Sequence, residues 1–146
     1  MAGRYLLDTN ICIYIAKHNP PAVREQFARH TADELVMSVV TLGELRFGAE
    51  KSQSRERALA VISQLASTMK IAPLTEPVGE HYGQIRAALQ QAGFMIVNND
   101  LWLAAHARAE GWILVTNNER EFARVIGLQV ENWALWWKTG HSEGNS

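Results

Sequence analysis

The stretch RYLLDTNICIYIA, residues 4–16, sets three polar residues between two apolar runs near the start of the chain. Residues 5–7 are predicted to form a short buried strand, and the apolar run that follows fits a helix whose start Thr9 and Asn10 can cap. Asp8 lies at the junction of the two. An ionised carboxylate is among the costliest groups to bury alone, so this stretch predicts that Asp8 has a partner in the folded protein.

The rest of the chain repeats this alternation of strand and helix. Further strands are predicted at LVMSVVT (35–41), KIAPL (70–74), WILVT (112–116) and LQVENW (128–133). Helices are predicted in NPPAVREQFARH (19–30), after a cap at Thr41, and at 55–69, 80–92, 99–110 and 119–127. Parallel strands joined by right-handed helical crossovers give an α/β fold, a three-layer α/β/α sandwich with a mainly parallel central sheet.

Length and hydropathy bound the class of protein. The 146 residues suit one domain, predicted to span 1–137, followed by a flexible C-terminal tail, KTGHSEGNS, at 138–146. No apolar run approaches the roughly 18–20 residues of a membrane-spanning helix, and Asp8 interrupts the first apolar run too early for a secretory signal. We therefore expect a soluble, cytoplasmic protein with no membrane contact.

Charge and cysteine content exclude two further classes. The net charge of -1 gives no overall electrostatic footprint for nucleic acid, which argues against a simple coat protein. Seven of the fourteen Lys and Arg residues lie between positions 17 and 57, where either a solvated helix surface or an RNA-facing patch would explain them. Cys12 is the single cysteine, so no internal disulfide forms, and it is interpreted as a small buried hydrophobe.

Four acidic residues follow predicted strands or open predicted helices. Asp8 follows the first strand, Glu44 lies one turn into the helix after the second strand, Asp100 is in the first turn of the 99–110 helix, and Glu121 opens the last helix. Ligands of open parallel sheets bind beyond the carboxyl ends of the strands, so we expect these acids to share one sheet edge. Helix capping is the simpler explanation for each alone, at roughly 0.3–1 kcal/mol.

Capping does not explain a cluster, because two carboxylates about 4 Å apart repel by roughly 4 kcal/mol at an effective dielectric constant near 20. Such a group either holds protons at raised pKa or binds a hard cation, and oxygen ligands suit Mg²⁺ or Mn²⁺. Side chains that could hold the carboxylates or bound waters are Thr9, Asn10, Thr116, Asn117 and Asn118. The sequence lacks a glycine-rich phosphate loop, so a polymer phosphodiester is the expected substrate rather than a nucleoside triphosphate.

Four segments of the sequence resemble one known family. LLDTNICIYI, SVVTLGELRFGAEKS, NNDLWLAAHA and LVTNNEREFARVIGLQVENW are similar, in order and spacing, to the PIN-domain family and to its VapC-type toxins of bacterial toxin-antitoxin pairs. The resemblance implies a Mg²⁺-dependent endoribonuclease in which a metal-activated water attacks a phosphodiester of RNA, often tRNA. It also implies inhibition by a cognate antitoxin protein, an antitoxin groove at the helices after Thr41 and at 55–69, and a homodimer that can enter a larger complex.

The resemblance also assigns residues. Asp8, Glu44 and Asp100 match the acids of the family's motifs and are the expected catalytic residues. The fourth position is Glu121 or Asn118, and Glu121 is favoured because an amide carries no charge for a divalent ion. Asp8, Asp100 and Glu121 are the expected metal ligands. The loop GFMIVNND (93–100) departs from the family pattern, with Met95 in place of Pro and Val97 in place of Gly, which bears on RNA access.

Other functions make different demands on the sequence. A receiver-like signalling domain would need paired acids after the first strand and a late Lys, but the chain has only Asp8 and no Lys between Lys70 and Lys138. An Asp-x-Asp phosphatase fails because position 10 is Asn. An RNA-binding or scaffold protein, whose acids are only helix caps, stays open.

Aromatic and histidine side chains are interpreted as packing residues. His106 is not on the helix face of Asp100 and is expected to be packed or capped. The tryptophans of NWALWWK, at positions 133, 136 and 137, are expected in the core or in a dimer contact rather than against RNA bases.

Overall fold

The computed structural model of the chain describes residues 4–135. Its centre is a five-stranded sheet in the order β3-β2-β1-β4-β5, and every neighbouring pair of strands is parallel. The strands are β1 (Tyr5–Leu7), β2 (Leu35–Ser38), β3 (Lys70–Ala72), β4 (Ile113–Val115) and β5 (Gln129–Glu131). The predicted α/β fold with a parallel sheet is confirmed. The predicted tail at 138–146 and the tryptophans at 136 and 137 lie outside the described residues, and the 1–137 domain boundary stays a prediction.

Helices connect the strands and cover both faces of the sheet. They are α1 (Thr9–Lys17), α2 (Pro21–Ala28), α3 (Val39–Glu50), α4 (Arg55–Ala66), α5 (Glu76–Gln91), α6 (Asn98–Glu110) and α7 (Glu119–Phe122), with short 3₁₀ turns at Ala32–Glu34 and Trp133–Leu135. No helix within residues 4–135 combines the length and the apolar character that a membrane span requires.

The side-chain alternation of β1 builds two cores, one on each side of the sheet. Leu6 and Leu7 are fully buried, and successive strand residues point to opposite faces. Leu6 packs in a cluster formed mainly with α5 and α6. Leu7 packs in a second cluster with α1, α3 and α4. A strand that is buried on both faces reads as a continuous apolar run, which is why YLL shows no alternation of apolar and polar residues.

Two predicted helix caps are wrong. Asp8, rather than Thr9 or Asn10, is the N-cap of α1, because its carboxylate reaches the third amide of the helix. Ser38, rather than Thr41, is the N-cap of α3, and its hydroxyl accepts a hydrogen bond from the Val40 N–H at 3.1 Å. The β-branched run VVT, which the sequence predicts as strand, forms the first turn of α3.

Other boundaries differ by a few residues. Helix α5 begins at Glu76, four residues before the prediction, since Pro77 is in the first turn where its missing N–H is harmless. Helices α4 and α7 end at Ala66 and Phe122, earlier than predicted. Helix α6 stops at Gly111, as predicted, and this glycine has a left-handed φ of 73°.

Candidate active site

Asp8 is held at the carboxyl end of β1 by hydrogen bonds from three groups. Its Oδ1 accepts the Ile11 N–H at 2.8 Å, and further bonds come from the Thr116 side chain and the backbone of Asn10. The residue is only 5% exposed, and this burial, followed by the negative charge of Glu44, raises the pKa of Asp8. The Asp8 carboxylate therefore has hydrogen-bond partners within the protein. An Asp that directly precedes a helix is a common N-cap, and this pattern could have indicated the partners.

Glu44 reaches the same edge of the sheet from α3. Its Oε1 accepts a hydrogen bond from the Thr9 hydroxyl at 2.7 Å. Thr9 Oγ1 also lies 3.3 Å from the hydroxyl of Thr41, a residue that the sequence assigned only as a cap. Since Thr9 is the neighbour of Asp8 in the chain, this contact places the Glu44 carboxylate beside the start of α1.

Asp100 shows that the four predicted acids share one electrostatic environment. It is the third residue of α6 and is partly buried. Burial, followed by the negative charges of Glu121, Asp8 and Glu44 in that order, raises the pKa of Asp100 to about 6. Each of the other three acids is therefore close enough to disfavour ionisation of Asp100.

Glu121 is positioned by its neighbour in α7. Its Oε2 accepts a hydrogen bond from Asn118 Nδ2, and the Asn118 N–H donates to Thr116 Oγ1 at 3.0 Å. Thr116 also holds Asp8, so the segment after β4 links the first and the fourth acid. Of the two candidates for the fourth position, Asn118 is thus the hydrogen-bond donor and Glu121 is the carboxylate that accepts the bond.

The five expected supporting residues differ in what they contact. Thr9, Thr116 and Asn118 hold Glu44, Asp8 and Glu121 respectively. Asn10 contributes its backbone to Asp8, while its side chain is exposed. Asn117 instead donates from Nδ2 to the Tyr14 hydroxyl at 2.8 Å, a contact between residues 103 positions apart that no sequence pattern indicates.

The donor set can be tested against a divalent cation. Within residues 4–135, no three His, Cys, Asp or Glu side chains group closely enough to hold a metal ion between them. Mg²⁺ nevertheless keeps several waters and uses one or two carboxylates, so a cluster of oxygen donors that raise one another's pKa suits it without a closed cage. The Oδ1 of Asn117, the residue after Thr116, is buried and has no partner in the described part of the chain, so it can accept a hydrogen bond from a bound water. The residues present fit a hydrated divalent ion.

The remaining chemically active side chains are packing residues. His106 is 1% exposed, its Nδ1 lies 2.9 Å from Ser38 Oγ, and burial lowers its pKa. Trp133 is buried and stacks on His30, with ring centroids 5.2 Å apart. Cys12 is fully buried, and burial raises the pKa of its thiol. These contacts agree with the packing interpretations made from the sequence.

An apolar groove opens from the acidic site between α1, α3 and α4. Its volume is about 620 Å³, and it begins at Thr9 and Glu44. Its far end is lined by Val61 and Ile62 of α4, and Lys17 is among its few charged residues. We call it the α1–α4 groove. Its position coincides with the helices for which the sequence predicted a protein partner.

A parallel sheet with acidic side chains gathered at its carboxyl edge is an arrangement found in α/β nucleases. The family model of the PIN domain matches residues 5–128, and the chain belongs to that family. Nucleases of this family typically use divalent metal ions.

Relatives and solved structures agree with this assignment. The chain is 45% identical over 130 residues to ribonuclease VapC2 of Haemophilus influenzae, covering 89% of this chain and 98% of the relative. It is 46% identical over 131 residues to the tRNA(fMet)-specific endonuclease VapC of Shigella flexneri, covering 90% and 98%. The structure of DNA-bound VapBC from Salmonella typhimurium is similar, with a TM-score of 0.85, 39% identity and coverage of 90% of this chain and 99% of that chain. The predicted PIN-domain ribonuclease of VapC type is confirmed.

Proposed function

We propose that this protein is a Mg²⁺-dependent endoribonuclease toxin that cleaves tRNA and is inhibited by a cognate antitoxin. One observation carries the proposal: Asp8, Glu44 and Glu121 together disfavour ionisation of Asp100 at the carboxyl edge of the sheet. Four acids gathered in this way are stable near neutral pH when a divalent cation lies among them. Mn²⁺ has the same preference for oxygen ligands and is the expected substitute.

The ion, when bound, lowers the pKa of a water and stabilises charge on the phosphate oxygens. Asp8, Asp100 and Glu121 are the residues that would hold it, and Glu44 completes the negative pocket. Their own positions are fixed by the protein: the Ile11 N–H and Thr116 orient Asp8, and Asn118 orients Glu121. Such supporting bonds keep carboxylates in one rotamer, which limits the entropy lost when an ion binds.

Glu44 is suited to a different task from the other three acids. Its Oε1 accepts a hydrogen bond from the Thr9 hydroxyl at 2.7 Å, which directs the carboxylate toward the start of α1. A carboxylate in that position can accept a proton from a water that attacks the phosphodiester. In-line attack by this water on the phosphorus, with the P–O3' bond breaking and the 3' oxygen leaving, gives a 5'-phosphate and a 3'-hydroxyl, which are the ends expected for this enzyme.

The substrate and partner are inferred from relatives and from the surface. A relative with 46% identity is named as a tRNA(fMet)-specific endonuclease, which supports tRNA as the substrate. The similar VapBC structure supports an antitoxin as the partner. The proposal further places the toxin in the cytoplasm, as a homodimer that can enter a larger toxin-antitoxin complex. The α1–α4 groove fits an amphipathic antitoxin helix, because its walls are apolar and it ends at the acidic site. A helix bound there would block the approach of RNA to Glu44.

The test of this function is cleavage of RNA by the purified protein with its metal supply controlled. Protein treated with a chelator should not cleave total tRNA, and added Mg²⁺ or Mn²⁺ should restore cleavage at a few defined positions. Ligation-based sequencing should find 5'-phosphates at the new ends. Cleavage that persists in excess chelator, or ends that carry a 2',3'-cyclic phosphate, would exclude the proposed chemistry.

Separate substitution of Glu121 and Asn118 decides the fourth acidic position. We expect Glu121→Gln to lower the cleavage rate by roughly 30-fold or more, since it removes a charge that disfavours ionisation of Asp100 and would hold the ion. Asn118→Ala removes the hydrogen bond to Glu121 and should cost about 10-fold, in the range typical of such supporting residues.

The order of these two effects is the informative result. Initial cleavage rates at several Mg²⁺ concentrations separate weaker ion binding from a slower reaction. A larger loss in Asn118→Ala than in Glu121→Gln would reassign the fourth position to Asn118. Arg120→Gln provides the control, because it changes the residue between Glu119 and Glu121 without removing a carboxylate.

A further inference from the structure

Arg86 of α5 and Arg124, which follows α7, lie over aromatic rings rather than against carboxylates. Arg86 Nη1 donates to the Tyr82 hydroxyl at 2.9 Å, and its guanidinium is 6.0 Å from that ring. The Arg124 guanidinium is 4.2 Å from the centroid of the Phe94 ring. Over residues 4–135, the ion pairs are His30 with Glu34 and Arg55 with Glu50, so both cations keep their charge open to an anion from outside.

Both arginines are tied to the elements that carry site residues. The Tyr82 hydroxyl is hydrogen-bonded to Asn98 Oδ1, and Asn98 opens α6 two residues before Asp100. Tyr82 is further fixed by Trp102 of α6, with ring centroids 4.0 Å apart. Arg86 is thus positioned relative to the helix that carries Asp100, through contacts that leave its charge exposed.

Arg124 contacts the loop that leads into α6. It lies three residues after Glu121, and its contact with Phe94 joins the end of α7 to the loop between α5 and α6. That loop is unusually apolar at its surface: Phe94 is 39% exposed, Met95 89% and Val97 69%. Val97 directly precedes α6, so this apolar loop leads into the helix of Asp100.

A cleft of about 290 Å³ lies along this loop. Arg86 and Gln90 of α5 line one part of it, and the remainder is apolar except for Asn98. Its other lining residues are Leu89, Phe94, Met95, Ile96, Val97, Asn98 and Leu101. Cleft, loop and the two arginines together form what we call the α5–α6 surface. It combines a cationic margin with exposed apolar and aromatic side chains.

We propose that the α5–α6 surface binds the single-stranded segment of the RNA next to the cleaved bond, with Arg86 and Arg124 on phosphates and Phe94 beneath a base. The inference rests on the proposed function and names where its substrate is held. An acidic site repels a polyanion, so substrate binding requires cations beside the site, and flat aromatic faces stack bases without regard to sequence. Arg86 lines the cleft, which reaches Asn98 at the start of the helix that carries Asp100, and Arg124 contacts Phe94 of the same loop. The two arginines and the exposed ring meet both requirements.

The experiment measures RNA binding separately from cleavage. An Asp8→Asn background prevents turnover, and fluorescence anisotropy follows binding of a single-stranded RNA of about 12 nucleotides, within the site sizes typical of such surfaces. Arg86→Gln and Arg124→Gln should each weaken binding and lower the slope of log K against log salt by about 0.7, the value for one lost phosphate contact. Phe94→Ala should weaken binding by roughly 5-fold or more and leave the salt slope unchanged.

Matched controls come from the opposite layer of the protein. Arg55→Gln removes an arginine that is already paired with Glu50, and Phe47→Ala removes a phenylalanine that is 65% exposed on α3. Neither should change RNA affinity or the salt slope. Equal losses in these controls and in the α5–α6 variants would show a general charge or surface effect and would overturn the proposal.

The outcomes also separate this inference from the proposed function. If the wild type cleaves RNA while Arg86→Gln, Arg124→Gln and Phe94→Ala bind and cleave as it does, the α5–α6 surface is not the substrate site and the nuclease stands. If RNA binding depends on these residues but no metal-dependent cleavage occurs, the RNA-binding proposal is confirmed and the proposed nuclease function is wrong. If the variants change only the sedimentation mass, the surface is a contact between two copies of the chain, and the RNA proposal is overturned.

Discussion

Replacing Asp8 with asparagine will reduce RNA cleavage by about 100-fold or more without unfolding the protein. Asparagine is as good an N-cap as aspartate, so its side-chain oxygen can still accept the Ile11 N–H that begins α1. The substitution removes one negative charge from the most buried of the four acids. A loss of about 3 kcal/mol of stabilisation of the ion and the transition state corresponds to roughly 100-fold in rate.

The measurement compares initial rates at saturating Mg²⁺ with thermal melting of the same preparations. Melting should change by no more than a few degrees, which separates loss of chemistry from loss of fold. Glu119→Gln is the matched control, because its carboxylate accepts a hydrogen bond from Asn132 Nδ2 at 3.0 Å and lies two residues from Glu121. It should keep the wild-type rate. If the Asp8→Asn variant cleaves RNA and arrests growth as well as the wild type at equal expression, Asp8 is not an active-site residue.

Asp100→Asn should inactivate the enzyme and stabilise its ion-free form. The pKa of Asp100 is raised to about 6 by burial and by three neighbouring carboxylates, so near neutral pH its charge opposes folding. A neutral amide removes that repulsion. After allowance for solvent screening of a partly exposed group, the gain is about 1 kcal/mol, or roughly 3 °C in melting temperature. RNA cleavage by the same variant should fall at least 100-fold.

The pH dependence of stability fixes the sign of this effect. Because the pKa of Asp100 is higher in the folded state than its ordinary value near 3.8, the folded protein binds more protons between about pH 4 and pH 6. The Asp100 contribution to the free energy of unfolding is therefore complete below this window and is lost as the pH rises through it. The raised pKa of Asp8 acts in the same direction.

Denaturant unfolding in chelator at pH 4.5 and pH 7 tests the prediction. Wild type should lose stability between the two values, while Asp100→Asn should lose less. Asp33→Asn, on the exposed Ala32–Glu34 turn, serves as a control and should follow the wild type. Added Mg²⁺ should reverse the ranking, because an ion stabilises the form that binds it. An Asp100→Asn variant that melts below the wild type in chelator would show that Asp100 stabilises the ion-free fold.

The order and type of the main elements followed from local pattern. Short apolar runs between helical segments, such as ILV (113–115), predict buried parallel strands. Helix ends with a local chemical cause, such as Gly111, were also predicted correctly. Boundaries failed where two local signals competed, as in SVVT, where β-branched residues favour a strand and the Ser38 hydroxyl caps a helix.

By itself, the sequence determined a parallel α/β fold and which four acids lie at the carboxyl edge of its sheet. Both follow from periodicity and chain order, since parallel strands bring their carboxyl ends together. Only the tertiary structure decided that Thr116 and the cap amide hold Asp8, that Thr9 holds Glu44, and that Arg86 and Arg124 remain without carboxylate partners in the described part of the chain. Those contacts join residues distant in sequence, and their strength depends on burial, which no local pattern encodes.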